Sequence, residues 1–348
     1  MHEDSATGPG LTNPVYPDLA ARLASATTPV PDNVVRFVLA VCSSYAYGDV
    51  RTVATIMDRL GLTRNRCRMI SEYVDALFLT STAYVIQSRD GRVAIVCYRG
   101  TPPTSIVTWL TDFQVEPTRI PVPALAARGK AEVHGGFYRN VRSTRFKIAE
   151  VLREAIAQRS VLDDTATDCP LEALYITGHS LGGASAALFA ALLVADLSRY
   201  GDIFAKLKAV YTYGSPMIGN PSFADACNRH PFLGEQVIRY VYADDVVPQV
   251  PPKASGDFKH FGKEYRYLPP ESRYLRPRRG RVKGEWQCGP PRTQLHHLLS
   301  LATAPVAFVA KGLRSTRHIR FHASLSDHLP QHYLGRLTPE HLRSEFGE

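Results

Sequence analysis

A serine hydroxyl becomes an effective nucleophile when a neutral imidazole takes its proton and a carboxylate holds that imidazole in place. One serine of this chain lies where such chemistry can be done. Gly178-His179-Ser180-Leu181-Gly182 follows a short apolar run, Leu174 to Thr177, and precedes an Ala/Leu-rich run through Ala195. The first run suits a buried strand of a parallel sheet and the second a packed helix. A serine on so sharp a strand-to-helix turn has a strained backbone and a hydroxyl pushed out above the sheet. The glycines on either side leave room for the turn, and Gly183 adds a third small residue where helix and strand crowd together. The helix N-terminus aims free N–H groups at the place where an acyl-transfer oxyanion would form.

The carboxylate and the base must come from elsewhere. Val237 to Tyr242 reads as a strand and ends at Ala243-Asp244-Asp245-Val246-Val247-Pro248. In a parallel α/β sheet, functional groups gather at the carboxyl ends of strands, which makes both aspartates candidates. Val246-Val247 signals return to the core and favours Asp245 as the inward one. The chain has twelve histidines, so a lone late histidine carries little information. His328 and His332 both lie on the last apolar segment, four residues apart, and on a helix they would share a face. Ser180, then Asp245, then a late histidine is the chain order of the α/β-hydrolase triad.

Strands alternating with helices imply an α/β fold, with a mostly parallel sheet and helices on both faces. A helix is predicted from about Asp32 or Asn33, with Val34, Phe37, Val38, Val41 and Cys42 on one face, and a second over Thr52 to Leu60. Thr82–Ser88 and Arg92–Tyr98 read as strands joined by an Asp-Gly hairpin. Pro102-Pro103 breaks the chain, and Ile106, Val107, Trp109, Leu110 and Phe113 then recur at amphipathic-helical spacing. That segment is a core-packed helix or a lid that opens at a lipid surface. Residues 1–28 read as a flexible arm, and 29–340 as one domain with a lid near 102–113 and an insertion near 251–322.

Hydrophobic content of 45% and charged content of 21% describe a globular protein. A net charge of +9 favours anionic partners, and without a nucleic-acid-binding pattern it points to surfaces rather than nucleic acid. Six basic residues crowd between Arg273 and Lys283, before the apolar stretch Leu295–Leu313, an arrangement that suits peripheral contact with an anionic membrane. The six cysteines are widely and irregularly spaced, which argues against a disulfide framework and for a reducing compartment. No secretory signal or spanning run is seen, so a cytoplasmic location is expected. No cofactor motif or metal-ligand pattern is present.

The chain resembles the class 3 lipases, the fungal-type triacylglycerol lipase family with plant phospholipase A1 and diacylglycerol lipase relatives. The resemblance rests on Tyr98-Arg99-Gly100-Thr101, Trp109-Leu110-Thr111-Asp112-Phe113, His134-Gly135-Gly136-Phe137, the Ser180 segment with Gly183, Tyr213-Gly214-Ser215-Pro216, Asp245-Val246-Val247-Pro248, Phe258-Lys259-His260-Phe261-Gly262 and His328 to Tyr333. These occur in the family's order across roughly residues 35–335. The resemblance implies Ser180 as nucleophile, Asp245 as acid, and as base the histidine five residues before a tyrosine, which selects His328 over His332. It implies an oxyanion hole from the backbone N–H groups of Thr101 and Leu181, a lid carrying Trp109 and Phe113, and structural roles for His134 and His260. The long stretch between His260 and His328, and the lack of a disulfide pattern, depart from the compact secreted fungal enzymes. The expected activity is hydrolysis of lipid carboxylic esters through an acyl-enzyme. The alternatives are an esterase for small soluble esters and a lipase-like scaffold without turnover.

Overall fold

The structure is a computed structural model that describes residues 15–26, 32–74, 79–101, 119–121, 130–251, 256–269, 284–289, 324–340 and 342. The expected lid with Trp109 and Phe113, the basic residues 273–283 and the apolar stretch 295–313 lie outside the described residues.

Local signals in the sequence place most elements. Helix α1 spans Leu19–Ser25, α2 Asn33–Tyr45 and α3 Val50–Leu60. Asp32 caps α2, its Oδ1 accepting from the Val34 and Val35 N–H groups at 2.7 and 3.1 Å. Helix α3 stops at Gly61, whose φ of +120° is open to glycine alone at little cost. The expectation of a flexible arm over residues 1–28 fails for α1. Leu19 and Leu23 are fully buried, and the Val15 and Tyr16 N–H groups donate to the carbonyls of Arg59 and Leu60. Apolar residues four apart on one short helix were enough to dock it, despite the turn-forming composition around it.

The strands are β1 Arg66–Val74, β2 Leu79–Gln87 and β3 Val93–Tyr98, followed by β4 Arg119–Pro121 and β5 Glu132–His134. After α4, Gly135–Ile156, come β6 Ala173–His179, α5 Leu181–Ala195, α6 Leu197–Phe204 and β7 Leu207–Tyr213. Then follow α7 Pro221–Arg229, α8 Pro231–Gln236, β8 Val237–Tyr242, β9 Lys263–Leu268, β10 Glu285–Cys288 and α9 Pro330–Leu337. The Asp90-Gly91 hairpin joins β2 to β3, with Gly91 at φ +93°.

Among the described residues, eight strands form one sheet in the order β1-β2-β3-β6-β7-β8-β9-β10. The five from β3 to β9 run parallel, and antiparallel strands flank them on each side. Side chains alternate between two cores. Ala94, Val96 and Tyr98 of β3 pack with α4 and α5, whereas Val93, Ile95 and Cys97 pack with α2 and α3 on the opposite face. Helix α5 is buried along nearly its whole length, which explains its Ala/Leu composition. The fold is the expected α/β-hydrolase arrangement, a mostly parallel sheet with helices on both faces.

Part of the expected insertion over 251–322 is not inserted. Strand β9 continues the parallel sheet beside β8, and β10 closes that edge. The reading missed β9 because its inward face is charged. Glu264 accepts from Arg239 of β8 (Nη2 to Oε2, 3.1 Å) and from Arg266, and the first pair is almost fully buried. Strand β1 also went unread, since as an edge strand it mixes Arg, Ser and Glu with its apolar residues.

Candidate active site

Ser180 stands between β6 and α5, with φ +58° and ψ −130°. A non-glycine residue there is strained, and the surroundings must hold it. They do so through close backbone approach. A Cβ on Gly182 would lie 2.2 Å from the Tyr98 carbonyl oxygen, so β3 and the start of α5 meet only because residue 182 has no side chain. The Ser180 N–H donates to the Tyr213 carbonyl at 2.9 Å, tying the turn to β7. Ser180 is fully buried, and its Oγ has no hydrogen-bond partner among the described residues.

Asp245 follows β8 and is also fully buried, whereas Asp244 is half-exposed. The Asp245 carboxylate accepts at Oδ1 from the Val247 N–H (2.9 Å) and at Oδ2 from the Tyr333 hydroxyl (2.5 Å). His328 Nδ1 lies 2.9 Å from Oδ2 and 3.1 Å from Oδ1. An ionised carboxylate only accepts, so Nδ1 carries the proton and the lone pair of the neutral ring is on Nε2. Nε2 is buried and, like Ser180 Oγ, has no hydrogen-bond partner among the described residues. No hydrogen bond joins these two atoms here. Such contacts often tighten only when substrate binds. Burial, and then the Asp245 carboxylate, hold the Tyr333 hydroxyl well above the ordinary tyrosine range, so it remains a donor.

His328 and His332 do not share a helix. His328 sits on a short 3₁₀ turn, Ser326–His328, Leu329 is extended, and α9 begins at Pro330. A residue before proline avoids the helical region, and this separates the two histidines. His332 stacks on Tyr242 instead, at 5.4 Å between ring centroids. The turn bearing His328 is docked by the Ser324 N–H, which donates to the Asp244 carbonyl (2.8 Å).

Gly214, at φ +59°, completes the cradle. A Cβ there would lie 2.8 Å from Asp245 Oδ2 and 2.9 Å from the His328 ring. Thr101 lies three residues beyond the end of β3, and its buried Oγ1 has no hydrogen-bond partner among the described residues. Leu181 opens α5, where the first N–H groups of a helix have no intrahelical carbonyl. His134 caps α4 by accepting from the Gly136 N–H (3.1 Å). His260 Nε2 lies 2.6 Å from the Pro248 carbonyl oxygen. Among the described residues no cluster of His, Cys, Asp or Glu could hold a metal ion.

The sequence reading missed a second histidine contact. His179 Nδ1 lies 2.7 Å from Tyr47 Oη, and its Nε2 lies 2.7 Å from the His328 carbonyl oxygen. Its only signal in the sequence is its place inside the serine motif. The motifs contain Gly214 and Tyr333, but their spacing does not reveal their contacts with Asp245.

Residues 95–255 match the family model described as lipase (class 3). The matched stretch, 161 of 348 residues, is similar to the class 3 lipases. The match contains Thr101, Ser180 and Asp245, and His328 lies beyond it. The chain is 29% identical over 247 residues to the triacylglycerol lipase OBL1 of Arabidopsis thaliana, covering 64% of this chain and 47% of that protein. It is 33% identical over 189 residues to a lipase of Rhizomucor miehei, covering 54% of this chain and 46% of that one. The chain thus spans about half the length of these two relatives. The fold is similar to that of a lipase from Rhizopus microsporus var. chinensis (TM-score 0.54, 20% identity, 94% of this chain and 96% of that one). It is also similar to lipase II from Rhizopus niveus (TM-score 0.51, 24% identity, 67% and 80%).

Proposed function

We propose that the chain is a serine hydrolase that cleaves carboxylic esters of lipids through an acyl-enzyme. One observation carries the reading. A strained serine at a strand-to-helix elbow and a buried Asp245–His328 pair (2.9 Å) converge at the carboxyl edge of one parallel sheet. The match of residues 95–255 to the class 3 lipase family model and the names of the relatives, triacylglycerol and mono- and diacylglycerol lipases, support lipid esters as the substrate class.

In this mechanism His328 Nε2 takes the Ser180 Oγ proton as Oγ attacks the ester carbonyl. Asp245 holds the Nδ1 proton and stabilises the imidazolium that forms. The N–H groups of Thr101 and Leu181 receive the tetrahedral oxyanion. Collapse expels the alcohol, protonated by His328. Water, deprotonated by the same imidazole, then releases the fatty acid and restores Ser180.

Ser180 is fully buried, so substrate entry requires its covering to move. A lid carrying Trp109 and Phe113 fits this need, as does docking of the basic stretch 273–283 on an anionic lipid surface. Among the described residues no single helix is long and apolar enough to cross a membrane. All six cysteines are free thiols, which supports a reducing, cytoplasmic location.

The test is hydrolysis of a panel of acylglycerols and phospholipids, against short soluble esters, by purified parent protein and Ser180→Ala. The reading expects turnover of lipid esters that rises when substrate aggregates, and a loss of about a million-fold in Ser180→Ala. Activity confined to soluble esters would replace the lipase by an esterase. Absence of turnover on every ester would leave only the scaffold.

A further inference from the structure

We propose that Tyr47 and His179 form a positioning pair that holds the backbone of His328 in register with Ser180. The proposal rests on the serine-hydrolase reading above and assigns neither residue a direct part in bond making.

The two hydrogen bonds to His179 fix its tautomer. The partner of Nε2 is a backbone carbonyl, which can only accept, so Nε2 carries the proton. The neutral ring then presents a lone pair at Nδ1, and Tyr47 Oη, 2.7 Å away, donates its proton there. One hydrogen bond thus selects the tautomer that makes the other. Burial holds the Tyr47 hydroxyl above the ordinary range, so it stays a donor.

The ring is also kept uncharged. Burial, and then the neighbouring His328, push the His179 pKa well below that of a free histidine. The rings facing it are those of Tyr47, His328 and Tyr333, at 5.9, 4.6 and 5.7 Å between centroids. In the proposed reaction His328 becomes an imidazolium. A second cation 4.6 Å away would oppose that charge, and a buried neutral donor does not.

The pair joins three parts of the site that are remote in sequence. His179 precedes the nucleophile directly. Its donor reaches the carbonyl of the base, on a 3₁₀ turn of only three residues. Tyr47, in the turn after α2, stands against Gly100, where a Cβ would lie 2.4 Å from the hydroxyl oxygen. Gly100 precedes Thr101 of the expected oxyanion hole. The arrangement sets the distance from Ser180 Oγ to His328 Nε2 through the main chain, while Asp245 sets the rotation of the imidazole. A misplacement of about 1 Å in such geometry costs about a hundredfold in rate.

The experiment compares kcat and KM on a short soluble ester for the parent, Tyr47→Phe, His179→Gln, His179→Leu and Tyr47→Phe/His179→Leu. Thermal midpoints and stoichiometric labelling by a fluorophosphonate are measured alongside. Glutamine keeps an N–H for the His328 carbonyl and an oxygen for the Tyr47 hydroxyl, whereas leucine keeps neither. The expected result is a fall in kcat of about a hundredfold for His179→Leu and about tenfold for Tyr47→Phe, with KM within about threefold of the parent. His179→Gln should recover most of the loss, and the double variant should be no worse than His179→Leu, because Tyr47 acts through the ring. The proposal is overturned if glutamine is as damaging as leucine, if the losses multiply in the double variant, or if only the thermal midpoint falls. Should His179→Leu fail to fold, Tyr47→Phe at parental kcat overturns it equally. A parent protein that neither labels nor hydrolyses ester refutes the hydrolase reading itself, an outcome distinct from these.

Discussion

Gly214→Ala should disable the site while leaving the fold in place. The added methyl would lie 2.8 Å from Asp245 Oδ2 and 2.9 Å from the His328 ring, where ordinary contact begins near 3.4 Å. Roughly half an ångström must be made up by moving the imidazole or the carboxylate, against packing that is already dense. Residue 214 also has φ +59°, which costs a residue with a Cβ roughly 1–2 kcal/mol. A displacement of that size between a base and its nucleophile should lower kcat/KM by one to two orders of magnitude, on the scale of about a hundredfold per ångström. The assay is kcat/KM on a short soluble ester, with unfolding midpoints for the same samples. Gly201→Ala is the matched control. Nothing lies within 4 Å of a Cβ there, and an alanine inside helix α6 should stabilise the protein by roughly 0.5–1 kcal/mol at unchanged activity. A folded Gly214→Ala protein with parental kcat/KM would refute the reasoning that this glycine seats the Asp245–His328 pair.

Three further expectations follow from the geometry. Asp245→Asn and His328→Ala should each lower kcat by at least about 10⁴-fold, while Asp244→Asn and His332→Ala stay within about tenfold; steady-state kinetics decide, and the reverse pattern would misplace acid and base. Glu264→Ala removes the carboxylate that neutralises buried Arg239, and should cost about 3–5 kcal/mol in urea unfolding, with most of it regained in Arg239→Met/Glu264→Leu; a single-variant loss below about 1 kcal/mol would contradict this. The folded-state pKa of His179 lies below its unfolded value, so its contribution to stability is complete above about pH 6.5 and declines as pH falls, by about 1.4 kcal/mol per unit until the folded pKa is reached. The slope of unfolding free energy between pH 6 and pH 5 should therefore be shallower in His179→Gln by about one proton, and equal slopes would mean that His179 is not held neutral.

What the sequence made legible was local. The cap at Asp32, the Asp90-Gly91 hairpin and the elbow around Ser180 each have a side chain or a missing Cβ that acts within a few residues. The alternation of strands and helices then implied a mostly parallel sheet. Elements whose residues find their partners across the sheet were not legible. Strand β9 carries Glu264 inward because Arg239 awaits it on β8, and no window of sequence contains both. Helix α1 looks like a tail until Leu19 and Leu23 are seen against the core. The same holds for the site. Asp245 could be preferred over Asp244 from the valines that follow it. On a helix His328 and His332 would share a face, but the extended Leu329 before Pro330 keeps His328 off the helix that carries His332. Gly214 and the Tyr47–His179 contact act between segments far apart in the chain, so spacing alone carried no sign of them.

The central claim is that Ser180 is the nucleophile of an ester hydrolase. The most direct measurement is to treat the parent protein with a fluorophosphonate, digest it, and map the adduct by mass spectrometry while following hydrolysis of a lipid ester. The account predicts one adduct, on Ser180, with activity lost in proportion to labelling and no adduct in Ser180→Ala. An adduct on another residue, or full hydrolytic activity in a protein whose Ser180 is completely labelled, would contradict it.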